Sequence, residues 1–343
     1  MNNDAVHDSA PVTRRRLTDL FTREEIRALR ERSDLRGAWA IVATWAVIAG
    51  ALAFTGWGLA QPWYIAAPAA AAGVAVLGGR QLALAILTHE ATHRTLFRTP
   101  RLNDAPVDWL CARPIGLHLE KYRAHHFIHH TKTGTAEDTD ISLVEGLPTT
   151  RRSLLRKFLR DLSGLTGLKY LFGFFLMNAG LMKWTVASDV TWLPREGRRW
   201  WHFAGTFTRN AAPTIMTNAL IALVLAALGH GLLWFAWLAA YLIPYPLFLR
   251  IRALAEHAVT SRSADMFENT RTTRAGIIAR MFVAPFRVNY HIEHHVMPSV
   301  PFYRLPAMHR MLRQRGAVSS PPGYWRVLEI VSSGPRPAAL TGQ

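Results

Sequence analysis

The chain has 343 residues, of which half are hydrophobic, yet it carries 40 Lys and Arg against 23 Asp and Glu, a formal net charge of +17. Such a charge suits either nucleic-acid binding or a membrane protein with a basic cytoplasmic face. Residues 37–79 and 210–249 contain no Asp, Glu, Lys or Arg. A nucleic-acid-binding protein has no use for two charge-free stretches of this length, so the charge distribution excludes a nucleic-acid partner and indicates a membrane protein.

The residues before the first charge-free stretch are polar and charged. They lack the apolar core and cleavage site of a secretion signal, so residues 1–36 are predicted to form a cytoplasmic tail. Within it, Thr22 to Glu25 matches a capping box and predicts a charged, amphipathic helix over residues 23–35. The single cysteine, Cys111, excludes an internal disulfide and a cysteine-based zinc or iron–sulfur site.

Each charge-free stretch is long enough for two membrane spans, since one span needs about 20 apolar residues. The predicted spans are residues 37–57, 62–87, 211–228 and 232–250. Pro244 and Pro246 fall inside the last span and should kink it. The turn within each pair is short and uncharged, whereas Arg and Lys concentrate before, between and after the pairs. The positive-inside rule then places both termini and the middle segment in the cytoplasm, and a bacterial cytoplasmic membrane is expected.

The middle segment contains residues 168–182, which are apolar but short and follow a basic run. They are predicted to form a helix at the membrane interface, because a fifth span would place His291 on the opposite side from His89. The predicted fold is therefore an all-α integral membrane protein. Four transmembrane helices form two hairpins, and a cytoplasmic helical cap completes a domain over residues 37–315, followed by a C-terminal tail over residues 316–343.

Nine of the 15 histidines follow a pattern that predicts metal binding. Residues three or four apart on a helix share a face, so clusters with these spacings can direct several imidazoles at one ion. Eight or nine imidazoles are too many for one ion, so two metals are implied. The predicted ligands are His89 and His93; His126, His129 and His130; His291, His294 and His295; and His257 just after the last span.

All nine should lie near the cytoplasmic edge of the bilayer, where they can converge on one site. A lone histidine at a membrane interface is usually an ordinary amphipathic residue, and this is the interpretation for those outside the clusters. These are His7, His118, His202, His230 and His309. Candidates for side chains that contact the ligands from behind are His125, Glu90, Asp138, Asp140, Glu256, Asn289 and Glu293. A solvated loop is the alternative for Asp138 and Asp140, and a position on the helix surface is the alternative for Glu90.

The first cluster also permits a different class of function. His89-Glu90-Ala91-Thr92-His93 matches the HExxH pattern of zinc metalloproteases, in which the Glu acts as general base. A membrane zinc protease would leave the other two histidine clusters without a role, which makes this alternative remote. A membrane metal carrier or sensor is the corresponding non-enzymatic alternative.

The three clusters, HxxxH, HxxHH and HxxHH, between and after two membrane hairpins resemble the membrane fatty acid desaturase and hydroxylase superfamily over about residues 35–315. Residues 289–301 and 252–257 resemble its desaturase branch. In acyl-CoA desaturases an Asn four residues before the lone histidine helps to hold a metal-bound water, whereas Ala253 stands there in this chain. The first box is also one residue shorter, so this chain is not a close relative of the acyl-CoA desaturases.

The resemblance implies that the nine histidines hold two non-haem irons, with O2 as co-substrate. It implies oxidation of a lipid or fatty-acyl substrate, foremost desaturation. Alternatives on the same scaffold are a hydroxylase, a carotenoid ketolase or hydroxylase, and an oxidase that forms terminal alkenes from fatty acids.

Each turnover needs two electrons, and the chain has no dinucleotide fingerprint or cysteine cluster. An external ferredoxin, rubredoxin or cytochrome b5-like donor with its reductase is therefore implied. The basic middle segment, including Arg151, Arg152, Arg156, Lys157 and Arg160, is predicted to contact lipid headgroups, and donor docking there is the alternative.

Overall fold

The computed structural model describes residues 17–135, 137–140, 143–184 and 190–334. The basic run at residues 14–16, His7 and residues 335–343 lie outside these ranges. The described residues are mainly helical. The α-helices are α1 (Leu17–Leu20), α2 (Arg23–Leu29), α3 (Asp34–Leu59), α4 (Trp63–Thr92), α5 (Ala105–Val107), α6 (Leu119–Lys132), α7 (Arg151–Leu162), α8 (Leu165–Asn178), α9 (Trp200–Ala227), α10 (Leu233–Leu242), α11 (Pro244–His257), α12 (Ile277–Phe282), α13 (His291–Val296), α14 (Leu305–Gln314) and α15 (Tyr324–Val331). Strands β1 (Met182–Trp184) and β2 (Val190–Trp192) pair antiparallel.

Four helical segments in the described ranges are long and apolar enough to cross a membrane: Arg23–Leu59, Trp63–Thr92, Trp200–Ala227 and Leu233–His257. They confirm the all-α membrane fold predicted from the two charge-free stretches. Each helix extends past its expected span, and α9 begins at Trp200 rather than near residue 211. The difference arises because hydropathy marks the part of a helix that meets lipid, whereas the helix itself continues into the polar phase.

The capping box before α2 is present with both of its hydrogen bonds. The Glu25 backbone N donates to Thr22 Oγ1 at 3.2 Å, and the Thr22 backbone N donates to Glu25 Oε2 at 2.8 Å. The helix is shorter than expected, however, because α2 ends at Leu29. Ser33 then accepts from the Arg36 backbone N at 3.4 Å and begins α3 as a separate helix. A second N-cap therefore divides the segment predicted as one helix.

The first hairpin is held by close backbone contact between α3 and α4. A methyl group on Gly73 of α4 would lie 2.0 Å from Thr55 Oγ1 of α3, and one on Gly58 would lie 2.4 Å from Ala69 Cβ. Glycine thus lets the two helices approach closely, as small residues do between membrane helices. Below this contact, α3, α4 and α10 enclose an apolar core that includes Ile48, Leu52, Leu84, Leu87 and Trp237.

The second hairpin has the predicted kink in its last span. Helix α10 ends at Leu242 and α11 begins at Pro244, with Ile243 between them at φ −107° and ψ −75°. Proline has no N–H to continue the preceding helix, which explains the break. The turn before α10 passes through Gly229 at φ 79°, as the Gly-His-Gly sequence indicates. The kink redirects α11 so that its last turn reaches the carboxyl end of α4.

The cap lies at the end of the bundle where α4 and α11 finish. Residues 168–182 were predicted as an interfacial helix, and α8 is not among the four candidate spans of the described chain. Leu165, Leu168 and Phe172 of α8 are exposed, as an interfacial helix requires. The short hairpin of β1 and β2 follows α8 and was not predicted.

The segment expected as a C-terminal tail instead carries α15. Val327 and Val331 of this helix are buried against Leu154 of α7 and Leu254 of α11. The folded part therefore extends past residue 315 to at least residue 334. The apolar face of α15 consists of four residues over two turns, Tyr324, Val327, Leu328 and Val331. A pattern this short does not distinguish a packed helix from a tail by sequence.

Candidate metal centre

The elements that bear histidines converge at one end of the helix bundle. His89 lies in the last turn of α4 and His93 caps that helix, while His257 ends α11. The second and third clusters lie on α6 and α13, where spacings of three and four residues put the imidazoles on one face. The structure therefore brings all nine predicted ligands together, although they come from four helices and from distant parts of the chain.

The nine histidines divide into two groups. The first contains His89, His93, His126, His130 and His294, and the second contains His129, His257, His291 and His295. Within each group, one ring nitrogen from every member lies within 4.8 Å of the others. The groups adjoin, because the His130 and His295 rings stack with centroids 4.2 Å apart.

Distances between ring nitrogens fit ligands of a common ion. Nε2 of His126 lies 3.0 Å from Nε2 of His93, and Nε2 of His130 lies 3.0 Å from Nε2 of His294. In the second group, Nε2 of His291 lies 2.7 Å from Nε2 of His257 and 3.0 Å from Nε2 of His295. Two nitrogens at right angles around an ion, with bonds of about 2.1 Å, lie about 3.0 Å apart. The spacing of both groups therefore suits a bound metal.

Burial supports the same conclusion. His89 is 1% exposed, and neither of its ring nitrogens has a hydrogen-bond partner among the described residues. A buried polar atom without a partner costs about 1–3 kcal/mol, so an ion bound to one of the His89 nitrogens would stabilise the fold.

The histidines outside the spanning helices are in the protonation state that a metal needs. Burial, followed by the charge of neighbouring imidazoles, lowers the pKa of these five well below the usual range: His126, His130, His291, His294 and His295. Burial likewise lowers the pKa of His93 to about 3. A neutral imidazole presents a lone pair, which is the form that binds a metal.

His129 differs from the others because carboxylates lie behind it. Its Nδ1 donates to Asp138 Oδ1 at 2.7 Å and lies 3.8 Å from Asp140 Oδ2. Burial alone would lower the pKa of His129, but the hydrogen bond to Asp138 and the two carboxylate charges raise it. Burial works against ionisation of Asp140, yet the hydrogen bond from His125 Nε2, at 3.0 Å, brings its pKa to about 2. The structure thus places His125, Asp138 and Asp140 behind the second group.

Glu256 and Glu90 also lie close to predicted ligands. Glu256 accepts from Arg252 Nε at 2.8 Å, and its other oxygen lies 3.7 Å from His291 Nε2. Glu90 lies 3.5 Å from Nδ1 of His89, but its carboxylate accepts from Thr95 Oγ1 at 3.0 Å and from the Phe302 backbone N at 3.1 Å. Loop contacts therefore hold Oε2 of Glu90, while Oε1 lies toward His89.

Asn289 and Glu293 do not contact a predicted ligand by hydrogen bonds in the described residues. Asn289 Nδ2 donates to the Thr273 carbonyl at 2.7 Å. Glu293 accepts from Thr272 Oγ1 at 2.6 Å and from His309 Nδ1 at 2.6 Å. These two side chains hold α13 against its neighbours, which fixes the helix that carries three histidines.

Sequence reasoning missed His309, which it treated as an ordinary histidine. The side chain pairs with the fully buried Glu293 carboxylate across 16 residues. No spacing rule relates two residues on different helices, α13 and α14, so the sequence carried no signal for this contact. The remaining unclustered histidines of the described chain, His118, His202 and His230, lie outside both groups.

Tyr122 is a further side chain that the sequence did not single out. Its ring stacks on His126 with centroids 5.5 Å apart and an interplanar angle of 11°. Tyr122 precedes His126 by one helical turn on α6, so helical periodicity could have identified the contact. The ring covers the face of one imidazole of the first group.

Comparison with known proteins relates the chain to a protein family and to a curated protein. The family model described as "Fatty acid desaturase" matches residues 66–326. A curated protein, dihydrorhizobitoxine desaturase of Bradyrhizobium elkanii, is 24% identical to this chain over 335 residues. That alignment covers 94% of this chain and 88% of the relative.

Proposed function

The chain belongs to the fatty acid desaturase family, and from this premise we propose that it is a membrane oxidoreductase that desaturates a lipid-like acyl substrate. In this proposal two irons are held by the nine histidines, five around one ion and four around the other. The observation that carries it is the pair of adjoining histidine groups, because a site for one zinc would need only three or four ligands. Imidazole nitrogen is a suitable ligand for iron.

Bound iron would supply the chemistry that uses O2 as the oxidant to break an alkyl C–H bond, which acid–base side chains cannot provide. The chain itself holds the metal ligands in place and orients their imidazole rings. Asp138 fixes the ring of His129, and Glu293 fixes α13 through Thr272 and His309. The side chains of the ligands are buried or nearly so, which keeps bulk water away from the centre.

Desaturation is preferred over hydroxylation because the curated relative is called a desaturase. Two electrons per turnover are proposed to come from an external ferredoxin, rubredoxin or cytochrome b5-like protein with its reductase. Exposed arginines on α7, among them Arg151 and Arg156, support electrostatic attraction of an acidic donor. We further propose that the cap and both termini lie in the cytoplasm, since α7 and the loops around it carry the positive charge.

Metal analysis of the purified protein tests the centre. We expect two irons per chain in the wild-type protein and less iron after His129→Ala or His294→Ala, with membrane insertion unchanged. His230→Ala is the matched control, because His230 is exposed in the turn at the opposite end of the bundle. One zinc per chain and no iron would contradict the proposal and revive the protease alternative.

Mass spectrometry of lipids and acids from a host that expresses the chain with a donor and reductase tests the reaction. We expect an O2-dependent product two hydrogens lighter than its precursor, absent from cells with the His294→Ala variant. A product one oxygen heavier would assign the chain to the hydroxylases instead. Iron binding without any O2-dependent product would favour the carrier or sensor alternative.

A further inference from the structure

A cavity of about 270 Å³ lies beside the metal centre. Its wall is formed by residues 113–118, by α6 and α8, and by the kinked junction of α10 and α11. Tyr122 lines this cavity and also stacks on His126 of the first histidine group. A molecule in the cavity would therefore be separated from a metal ligand by one aromatic ring.

The polar part of the wall is basic. Arg113, His118 and Lys121 line the cavity, and the described residues of its wall include no Asp or Glu. Arg113 is 6% exposed and donates through Nε to Asp108 at 2.7 Å, which leaves the other two guanidinium nitrogens for a ligand. Burial and the charge of Arg113 lower the pKa of Lys121, as expected of two cations that face the same space. An anion between them would relieve this repulsion.

Two further polar atoms of the wall lack partners. Nδ1 of His118 and Nε1 of Trp184 are buried and have no hydrogen-bond partner in the described part of the chain. Both residues line the cavity. Unpaired buried polar atoms are rare in folded proteins, and a ligand with polar atoms would satisfy them.

Much of the rest of the wall is aromatic, and the volume of the cavity limits the size of a ligand. The rings of Tyr241 and Tyr245 stack with centroids 5.4 Å apart, and Phe174 lies on the opposite helix α8. The cavity volume falls below the range of about 300–1,000 Å³ that is usual for drug-sized ligands. A long acyl chain finds more room in an apolar groove of about 900 Å³ between α3 and α9, but no described residue of its wall stacks on one of the nine histidines, as Tyr122 of the cavity does.

Resting on the proposed function, we propose that the substrate is a compact molecule with one terminal anionic group, a carboxylate or a phosphate. Arg113 and Lys121 bind this group, and the apolar part of the substrate packs against Tyr122 and the tyrosines of the kink. The chain thus selects for negative charge at one end and for short length, and it discriminates against long-chain acyl groups.

Titration calorimetry of the iron-loaded protein in nanodiscs tests this selection without turnover. The probes are hexanoate, hexyl phosphate, hexan-1-ol, hexylamine and stearate. We expect both short anions to bind at least tenfold more tightly than hexan-1-ol and hexylamine, and stearate to bind more weakly than hexanoate. The relative affinity of hexanoate and hexyl phosphate shows which anion the site prefers. Equal affinity for hexanoate and hexan-1-ol, or tighter binding of stearate, would overturn the inference.

Lys121→Gln is the diagnostic variant, since no carboxylate of the described chain forms an ion pair with Lys121, whereas Arg113→Gln would leave Asp108 without its partner. We expect hexanoate to bind about tenfold more weakly, which corresponds to about 1.4 kcal/mol, with no change for hexan-1-ol. Lys183→Gln is the matched control, because Lys183 is exposed on β1 and alternation directs it away from Trp184. An equal effect of the two variants would refute the assignment of Lys121.

The two proposals can fail separately. If the protein oxidises a long-chain substrate but does not distinguish hexanoate from hexan-1-ol, the cavity assignment falls and the proposed function stands. If hexanoate binding depends on Lys121 but no O2-dependent product forms from any substrate, the anion site stands and the proposed function falls.

Discussion

Asp138 determines how the imidazole of His129 can be used. An ionised carboxylate only accepts hydrogen bonds, so the contact of 2.7 Å requires the proton of the ring to be on Nδ1. Nε2 of His129 is then left as the lone-pair nitrogen for the second histidine group. The Asp138 carboxylate is itself held by the backbone N–H groups of Gly134 and Asp140. This arrangement resembles the carboxylate–histidine–metal contacts that orient ligands in metalloproteins.

Replacement of this carboxylate by an amide should weaken metal binding without disturbing the fold. We expect Asp138→Asn to lower iron affinity about 10- to 100-fold, because the amide supports the wrong tautomer and removes a negative charge. The measurement is iron retained after dialysis against a graded series of chelator concentrations. Glu137→Gln is the control, since Glu137 pairs with Lys132 at the surface and does not reach a histidine. Equal iron retention in the two variants would contradict the role of Asp138.

His309 supports α13 through the Glu293 carboxylate. Glu293 is fully buried, and loss of His309 would leave one of its oxygens without a partner among the described residues. We expect His309→Ala to destabilise the protein by about 1–3 kcal/mol and to reduce iron content. His309→Gln, which retains a donor, should restore part of both losses. A thermal midpoint and iron content equal to those of wild type in His309→Ala would show that the contact contributes nothing.

At the scale of residues, the sequence predicted the features that depend on residues close together in the chain. The ligands within each cluster follow from helical periodicity, so their spacing alone brought out eight of them, and His257 followed from its place after the last span. Their division into groups of five and four does not follow, because it depends on how α4, α6, α11 and α13 cross. The pairing of His309 with Glu293 could not be predicted from the sequence for the same reason, because it depends on how α13 and α14 pack.

At the scale of elements, the first hairpin depends on small residues at the contact between α3 and α4. Gly73 faces Thr55 so closely that any side chain must displace the hydroxyl group. The Thr55 hydroxyl donates to the Ala51 carbonyl at 2.7 Å, so it already has a fixed position in its own helix. The helices therefore cannot separate slightly at this point without loss of packing along the hairpin.

This contact predicts a rescue by a second substitution. We expect Gly73→Ala to lower the thermal midpoint, and Gly73→Ala with Thr55→Ala to recover most of the loss, because the second change removes the Oγ1 atom 2.0 Å from the new methyl group. Gly50→Ala on α3 is the control, since nothing lies within 4 Å of its added methyl group. It should be neutral or slightly stabilising, by up to about 1 kcal/mol, from the better helix propensity of alanine. Additive losses in the double variant would argue against a direct clash.

The sequence predicted the helix break at proline and the turn at glycine, whereas it did not predict where the helices begin and end. Pro244 breaks the last span where predicted, since proline acts on its own backbone and the turn before it. The start of α9 at Trp200 and the separation of α2 from α3 depend on caps and on the polar phase, which hydropathy does not register. Strands of three residues, such as β1 and β2, carry no periodicity to detect.

At the scale of the whole molecule, the histidine centre joins parts that are otherwise separate. It contains the end of the first hairpin in α4, the cap helix α6, the end of the second hairpin in α11 and the later helix α13. Helix α15 adds to this by packing Val327 and Val331 against α7 and α11. Metal ligands at the meeting point of four elements would connect the two hairpins and the cap.

Removal of iron should therefore destabilise the entire protein and not only the site. Without metal, the core retains the buried imidazole of His89, whose two ring nitrogens have no partner in the described chain, and one such nitrogen costs about 1–3 kcal/mol. A ligand that binds only the folded state stabilises it by about 2.7 kcal/mol at 100 times its dissociation constant, so free iron at that level should raise the thermal midpoint measurably. We expect chelation to lower the midpoint and two equivalents of Fe(II) per chain to restore it. The thermal midpoint of His230→Ala should change on chelation and on addition of Fe(II) as that of the wild-type protein does. The midpoint of His291→Ala should change less, because the second histidine group would have lost one of its four ligands. A midpoint that is indifferent to chelation in the wild-type protein would mean that the histidine core is held by protein contacts alone.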